Sequence, residues 1–593
     1  MTRKKRKKKG KVKLISLVYL IASIIFIIAI LNYNNIENFL RYIIIGIILF
    51  TDLITLFNIR HRHSTFSNAL KFVFIILFIF LSVNLNKISH YVTKVNKKVT
   101  YSTSLITRID GSEKVGSSKL GMIKNTESKE GYVLANKIIK ENKLDNNEII
   151  YYEDYRPLIT ALYNKEIDYI FLPTDYENLF SNQEGFEDIK HRVKIIKTVT
   201  MEEKKIKNNS TKKLTKPFSV LLMGIDSTTS GFKNSDSFNG DSLILLTVNP
   251  KTMNATMLSI HRDSYVPIMC FDDKRENKIT HAASHGTQCV LDTVENYLDV
   301  KVDYYVKINF TGVVDLVNAL GGLELDVPHA LCEQDSKRRI GKNIVYIEKG
   351  KQVLNGEQVL AFARNRKKNE DYCPKKYTEG YRDVSVRNKN QEAIINALIE
   401  KGKTIKDINK IYELLDILTD NLDTNMDRDT ILSFYDVAKS VMSDNNQNRI
   451  NIEKLLINGH GQMIYDEKTR LTLWEYIPVK QSVEVCKKEM RANLELEDNN
   501  ITEFSYTPGQ NIDHVIGSEF DKSDFYPLVP NFYNMSLEEA KKWAEENDIT
   551  LKINYVKNTN YKNGRIYSQD YPYRKRIDKI DDKTITITVA DNL

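Results

Sequence analysis

The chain has 593 residues, more than one hydrophobic core holds, since single cores stop growing beyond about 250–300 residues, so several domains are expected. Lys and Arg number 86 against 77 Asp and Glu, a formal net charge of +9. The nine bases Arg3, Lys4, Lys5, Arg6, Lys7, Lys8, Lys9, Lys11 and Lys13, with no acid among the first 13 residues, account for the whole excess, which excludes a broadly nucleic-acid-binding body.

After this basic tail (residues 1–13) come three apolar segments within residues 14–88: 14–31, 42–59 and 72–85, the last extendable to residue 66 if Lys71 turns its ammonium toward the headgroups. Each approaches the ~20 residues that cross a bilayer. No small-residue cleavage site follows the first and two more segments do, so it reads as a span and not a signal peptide. The tail and the second loop (Arg60, Arg62, Lys71) are basic while the first loop, NYNNIEN, is not. The positive-inside rule then predicts a multi-pass protein of the cell membrane with three spans, its N-terminus in the cytoplasm and everything after about residue 90 outside. Asp52, inside the second span, reads as a pairing group between helices. All five cysteines fall in the exported part, where bridges are permitted. Cys270 with Cys289 and Cys332 with Cys373 each flank a polar, loop-like insertion, so those pairs are expected, with Cys486 free.

Residues 100–200 read as a small α/β accessory domain: YVLANKIIKENK helical, EIIYYED a strand, YRPLITALYNKE a helix and IDYIFLP a strand. Residues 201–216 are a polar linker. The main domain spans 215–490. Three runs rich in β-formers, 218–223, 242–248 and 255–260, each stop at a polar end carrying Asp226, Asp241 or the pair Arg262 and Asp263. Carboxylates and an arginine brought to one sheet edge suit a metal with an anionic ligand, though such residues also cap strands and face water. Residues 293–298 read as a helix, VDYYVKINF as a strand, and FTGVVDLVNALGGLELDVP as helix, Gly-Gly stop and strand. A polar loop after LNGEQVLAFARNR runs into an amphipathic helix near 388–401, and residues 404–490 read as helical. Arg364 and Arg366 share a face only if ARNR is extended or turned. A polar linker (491–525) precedes a terminal unit (526–593) in which SLEE is a capping box followed by the strands LKINYVK and TITITVA, together a tethered binding module.

Six ordered elements, FSVLLMGID, GDSLILLTVNPKT, SIHRDSYVP, KITHA, DYYVKINFTGVVDLVNALGGLELDVP and LNGEQVLAFARNR, make residues 218–401 resemble the LytR-CpsA-Psr domain. The terminal unit is similar to a PASTA domain, and residues 100–200 resemble the accessory domain of some capsule-linked members. The resemblance implies an α/β fold: a mixed sheet flanked by helices, preceded by the transmembrane helices and the accessory domain, and followed by a small α+β module. It further implies a Gram-positive cell-wall enzyme, an extracytoplasmic Mg²⁺-dependent (or Mn²⁺-dependent) phosphotransferase. Such an enzyme moves a polyprenyl-(pyro)phosphate-linked glycopolymer, a teichoic acid or capsular polysaccharide, onto peptidoglycan and releases polyprenyl phosphate. Its partners are those two polymers and membrane lipid, with no nucleic acid.

Carried over by position, the metal aspartates fall on Asp226 and Asp241 and the phosphate-binding arginines on Arg262, Arg364 and Arg366. Lys278 sits in the KIN-type element, and a later Asp-Arg-Gln element falls on Asp383, Arg387 and Gln391. Guanidinium suits a pyrophosphate because its fork grips phosphate oxygens bidentately and keeps its charge. Asp263 either takes the proton of the attacking hydroxyl or orients Arg262 through an ion pair. The chain departs from the pattern at Thr228, Thr229, Asn239 and Gly240, beside the aspartates where many members carry arginine, and at His261, where proline is usual. Two other functions were weighed: a non-catalytic wall-anchoring receptor, and transcriptional regulation, which conflicts with the expected topology.

Overall fold

A computed structural model describes residues 2–32, 38–57, 65–95, 99–180, 183–203, 216–225, 237–380, 384–405, 410, 413–414, 417, 421–426, 430, 451–496, 512–516 and 524–592. The N-terminal region is three helices, Thr2–Asn32, Asn38–Phe57 and Thr65–Val95. Two of them carry stretches long and apolar enough to cross a membrane, Leu14–Leu31 and Ser67–Asn86. The polar groups of this bundle pair between helices, because an unpaired one among apolar side chains is costly. Ser23 Oγ donates to Asp52 at 2.9 Å, and Lys71 Nζ donates to Ser16 Oγ at 3.1 Å.

The accessory region forms a five-stranded sheet in the order Ile149–Tyr152, Leu120–Ile123, Tyr169–Pro173, Val99–Arg108, Val193–Glu203. Side chains alternate faces along a strand, so Ile106 and Ile170 pack under helix Tyr155–Tyr163 while Leu105 and Phe171 pack under helix Leu134–Glu141.

The central sheet has seven strands, in the order Leu422–Thr424, Tyr304–Asn309, Phe218–Ile225, Gly240–Asn249, Asn254–Ile260, Asn451–Ile457, Ile512–Ile516. It is mixed: Phe218–Ile225 runs parallel to Tyr304–Asn309 and antiparallel to Gly240–Asn249. Leu221, Leu245, Leu258 and Ile260 face helices Thr287–Leu298 and Lys480–Asn493 and bury Val290, Val294 and Met490. Leu222, Ile244, Val306 and Ile308 face helices Phe310–Ala319, Gly356–Arg364 and Val384–Lys403. The Gly-Gly stop is as expected: Gly321 and Gly322 take φ of 76° and 91°, a conformation other residues resist, and release the chain into strand Leu323–Val327.

Two stretches differ from their sequence reading. Residues 404–490 are not all helical. Their described part holds strands Asn451–Ile457, Gly459–Asp466 and Leu471–Pro478 before helix Lys480–Asn493. In LTLWEYIP the buried positions alternate as Leu473, Glu475, Ile477, a period of two masked by a carboxylate at an interior position. The polar 491–525 linker likewise contributes an outer strand, Ile512–Ile516, which pairs with the backbone of Asn451–Ile457.

In the terminal module Ser536 and Glu539 form the expected capping box on helix Leu537–Glu546. Strands Thr550–Val556 and Thr584–Ala590 run parallel, and a third, Ile566–Gln569, completes the sheet. The module is docked and not merely tethered. Arg576 lies 5.7 Å from the Tyr265 ring centroid and 3.4 Å from Glu276, and Tyr465 N donates to Arg574 O at 3.0 Å.

Candidate functional site

The chemistry-bearing residues collect where the central strands end. Pairing slips between Gly224, opposite Ser242, and Ile225, opposite Gly240, so Asp241 is the extra residue of a bulge. A bulge re-aims a side chain, and here it brings the Asp241 carboxylate to the Arg262 guanidinium, with which it pairs through Nη1. Gly240 makes room for this, because a Cβ there would lie 2.9 Å from that of Ala283. Arg262 directly follows strand Asn254–Ile260 by one residue and is buried, its Nε 3.4 Å from Asp263 Oδ1.

Arg387 comes from the first turn of helix Val384–Lys403, and Gln391 sits one turn later. Gln391 Oε1 accepts from Ser242 Oγ at 2.8 Å and its Nε2 donates to Ala363 O at 3.2 Å. Arg364 is the last residue of helix Gly356–Arg364 and lies 4.7 Å from the Phe310 ring centroid. Asn365 then takes φ −64°, ψ 116°, so the helix breaks between the two arginines and Arg366 reaches the same cavity, as the turned reading of ARNR expects.

That cavity, about 710 Å³, lies between one sheet face and the helices that cover it. Asp241, Arg338, Arg364, Arg366, Arg387 and Gln391 line its charged end, while Leu222, Val306, Ile308, Val313, Leu316, Ile394, Leu398 and Leu422 line the rest. None of these apolar residues was assigned from sequence, where the apolar residues between 219 and 320 could line a prenyl tunnel or equally fill an ordinary core. Arg338 was also missed, in a loop sequence, KRRIG, that carries no distinguishing pattern. Lys278 does not line the cavity: its Nζ lies 3.9 Å from Glu184, and its charge acts on Asp263. Asp226 and Asp383 lie outside the described residues.

The charged end is crowded with cations. Burial pushes Arg262 down to about 9; Asp263 opposes that fall while Arg387 and Arg366 add to it. Burial and then Arg366 push Arg387 down to about 10, and among the described residues its Nε and Nη2 have no hydrogen-bond partner. Asp263 behaves oppositely. Burial raises its carboxyl, but Arg262, Lys278, His261 and Arg387 outweigh burial and hold it below the usual range. It therefore stays ionised beside Arg262, the arrangement of an orienting ion pair.

Both expected disulfides are present, Cys270–Cys289 and Cys332–Cys373, and Cys486 is free and buried. The second ties strand Leu331–Glu333 to the loop beyond Arg366. Beside it, Glu333 accepts from Asn369 Nδ2 and the Tyr372 hydroxyl, each at 3.1 Å. Replacing both Cys332 and Cys373 by Ser is expected to cost about 2–4 kcal/mol, read as a lower urea midpoint than that of the oxidised parent.

Parts of the chain are similar to known proteins. A PASTA domain model matches residues 527–591. The polyisoprenyl-teichoic acid–peptidoglycan teichoic acid transferase TagU of Bacillus licheniformis is 34% identical over 246 residues, 41% of this chain and 71% of that protein. The corresponding transferase TagV of Bacillus subtilis is 37% identical over 216 residues, 36% of this chain and 50% of its own length. A crystal structure of B. subtilis TagV aligns with 48% of this chain and 99% of that one, at 29% identity and a TM-score of 0.38. The LytR_cpsA_psr family model matches residues 186–492, more than half of the sequence and the whole of the arginine-lined cavity, and the chain belongs to that family.

Proposed function

We propose that this protein is a membrane-anchored transferase that moves a polyprenyl-(pyro)phosphate-linked glycopolymer, a teichoic acid or capsular polysaccharide, onto peptidoglycan outside the cell. The observation that carries this reading is the two-part cavity, an apolar length that suits a prenyl chain and a charged end where Arg387 keeps two buried guanidinium donors without partners among the described residues, which suits a pyrophosphate. The names of the relatives support it. The orientation follows from the basic tail: the N-terminus is cytoplasmic, and Asn38–Phe57 joins the two longer apolar helices as a third span. The PASTA-like module adds contact with peptidoglycan.

In the reaction, an acceptor hydroxyl oxygen attacks the phosphorus attached to the glycopolymer. The bond from that phosphorus to the bridging oxygen breaks, polyprenyl phosphate leaves with the electron pair, and the hydroxyl proton passes to solvent. Arg364, Arg366 and Arg387 offset the charge that grows on the leaving phosphate, and Arg262 holds its place between Asp241 and Asp263. Asp263 orients Arg262 rather than accepting the proton.

No group of three His, Cys, Asp or Glu able to hold a metal occurs among the described residues. Asp241 nonetheless lines the charged end with part of its carboxylate accessible, and a hard oxygen donor of this kind fits Mg²⁺ or Mn²⁺. Asp226 would supply the second carboxylate, in keeping with an ion that takes one or two carboxylates and completes its shell with phosphate oxygens and water. Bound there, it supplies Lewis-acid charge to the pyrophosphate.

The full chain in detergent, given a lipid-linked glycopolymer, peptidoglycan and Mg²⁺, is expected to release polyprenyl phosphate and label the wall polymer; no release removes the reading. Ile308→Trp, which fills the apolar length, is expected to weaken donor binding by tenfold or more, about 1.4 kcal/mol, in a donor-saturation curve. A donor whose prenyl chain is cut short should show a smaller difference.

A further inference from the structure

The hairpin of residues 459–478 holds an aromatic surface that the cavity does not use. Its first strand places Gly459 and Gly461 opposite a second strand carrying Trp474 and Tyr476. The rings lie flat over these glycines: a Cβ on Gly459 would lie 2.5 Å from the Tyr476 ring, and one on Gly461 would lie 2.5 Å from Trp474 Nε1. Any larger residue at 459 or 461 would lift the rings, so the Gly-x-Gly run facing Trp-x-Tyr is built to lay them down. Tyr476 is covered in turn by His261, with the ring centroids 4.0 Å apart and the planes 13° apart. Trp474 is 38% exposed.

This surface is keyed to the residues on either side of Arg262. Tyr476 N donates to Asp263 O at 3.0 Å, and His261 Nδ1 accepts from Asp263 N at 3.2 Å. Arg262 meanwhile reaches Asp241 at the charged end of the cavity. One residue therefore joins the two compartments. None of His261, Trp474, Tyr476 or Lys278 lines the cavity. One exposed charged group stands at the rim. The Glu184 side chain, 46% exposed and supplied by the accessory region, accepts from Trp474 N at 3.4 Å and lies 3.9 Å from Lys278 Nζ.

We propose that Trp474, with Glu184 at its rim, binds a pyranose ring of the acceptor glycan strand, a reading that rests on the transferase function above. A flat, partly exposed indole offers its face to the C–H side of a sugar, and a carboxylate beside it suits the ring hydroxyls. The surface is tied to the backbone on either side of Arg262 yet lies outside the cavity, so an acceptor held there would approach apart from the prenyl phosphate that leaves into that cavity. It also gives the accessory region a role, since Glu184 completes the subsite.

Two measurements on the full chain in detergent test this. In acceptor-saturation kinetics Trp474→Ala is expected to raise KM for peptidoglycan strands roughly tenfold, with Trp474→Phe in between, while donor affinity and the rate at saturating acceptor stay near those of the parent. An unchanged acceptor KM, or an equal loss of donor affinity, overturns the proposal. Independently, the chain has two tryptophans, so Trp543→Phe leaves Trp474 as the sole fluorophore. Soluble glycan fragments free of donor should then change its emission saturably, and a flat titration overturns the proposal. Saturable binding by a chain that transfers nothing keeps the subsite and removes the transferase reading; transfer that is indifferent to Trp474 does the reverse.

Discussion

Arg387→Met is expected to lower polyprenyl phosphate release by roughly 10²- to 10³-fold, the usual cost of one donor aimed at developing charge, without lowering the urea midpoint of the protein. The two halves of this prediction have one cause. Arg387 is buried in a helix, faces Arg366, and among the described residues leaves Nε and Nη2 without acceptors, so the free protein carries a desolvated charge that Asp263 offsets only in part and that an incoming anion would satisfy further. Methionine keeps most of the volume and removes that charge, so the folded state without ligand loses nothing and the site loses its grip on phosphate. Inorganic pyrophosphate should raise the midpoint of the parent and not that of the variant, because a ligand stabilises only the state that binds it. A variant that unfolds more readily than the parent would instead give Arg387 a structural partner and remove it from the anion site.

Much of this site was legible in the sequence because strand ends announce themselves. A β-rich run that stops at Asp or Arg places that group at a sheet edge wherever the strand lies, so Asp241 and Arg262 were found from local pattern alone. The disulfides were legible for a similar reason, since each pair brackets its own polar loop. What stayed hidden depended on long-range packing. Leu222 and Leu221 are neighbours of one type, yet one lines the cavity and the other a closed core. Only the helices stacked on each face decide which is which. Arg338 reaches the charged end from a loop whose path no local signal specifies. Lys278 is a different case: motif position put it with the phosphate-binding arginines, and the fold leaves it outside the cavity lining while still acting on Asp263. The strand Leu471–Pro478 was lost because Glu475 breaks the apolar alternation. That carboxyl sits almost fully buried, and burial pushes it far above the usual range despite Lys278 nearby.

Asp154→Ala is expected to cost about 3–5 kcal/mol, the penalty for stranding a buried cation, although Asp154 lies in the accessory region far along the chain from the transfer site. Its carboxylate is about 1% exposed and caps helix Tyr155–Tyr163, and it accepts from Arg156 Nε at 2.9 Å and Nη2 at 2.5 Å. Arg275 Nη2 at 3.7 Å and His285 Nε2 at 3.4 Å approach it from the central domain. Without it Arg156, itself about 2% exposed, loses its paired carboxylate and keeps only the weaker influence of Asp466, and its Nη1 already lacks a partner among the described residues. Arg156→Leu in the same chain should recover most of the loss, since removing both charges is far cheaper than removing one. The pH dependence fixes the sign. Burial raises the Asp154 carboxyl, but Arg156, His285 and Arg275 together hold it well below the ordinary value. Its contribution is therefore complete above about pH 4 and is lost as pH falls through the depressed value, so the gap between parent and variant in urea midpoint should be full at neutral pH and narrow only in acid. The consequence reaches Arg262. His285 ends the 3₁₀ turn Ile279–His285, whose Thr280 N donates to Arg262 O at 3.0 Å and whose Ile279 N donates to Ser264 O at 2.9 Å. Loosening that turn frees the backbone that aims Arg262 at the cavity. Asp154→Ala should accordingly raise amide exchange in both the helix Tyr155–Tyr163 and the turn Ile279–His285 and slow transfer with them; exchange that rises in the helix alone would confine Asp154 to the stability of its own domain.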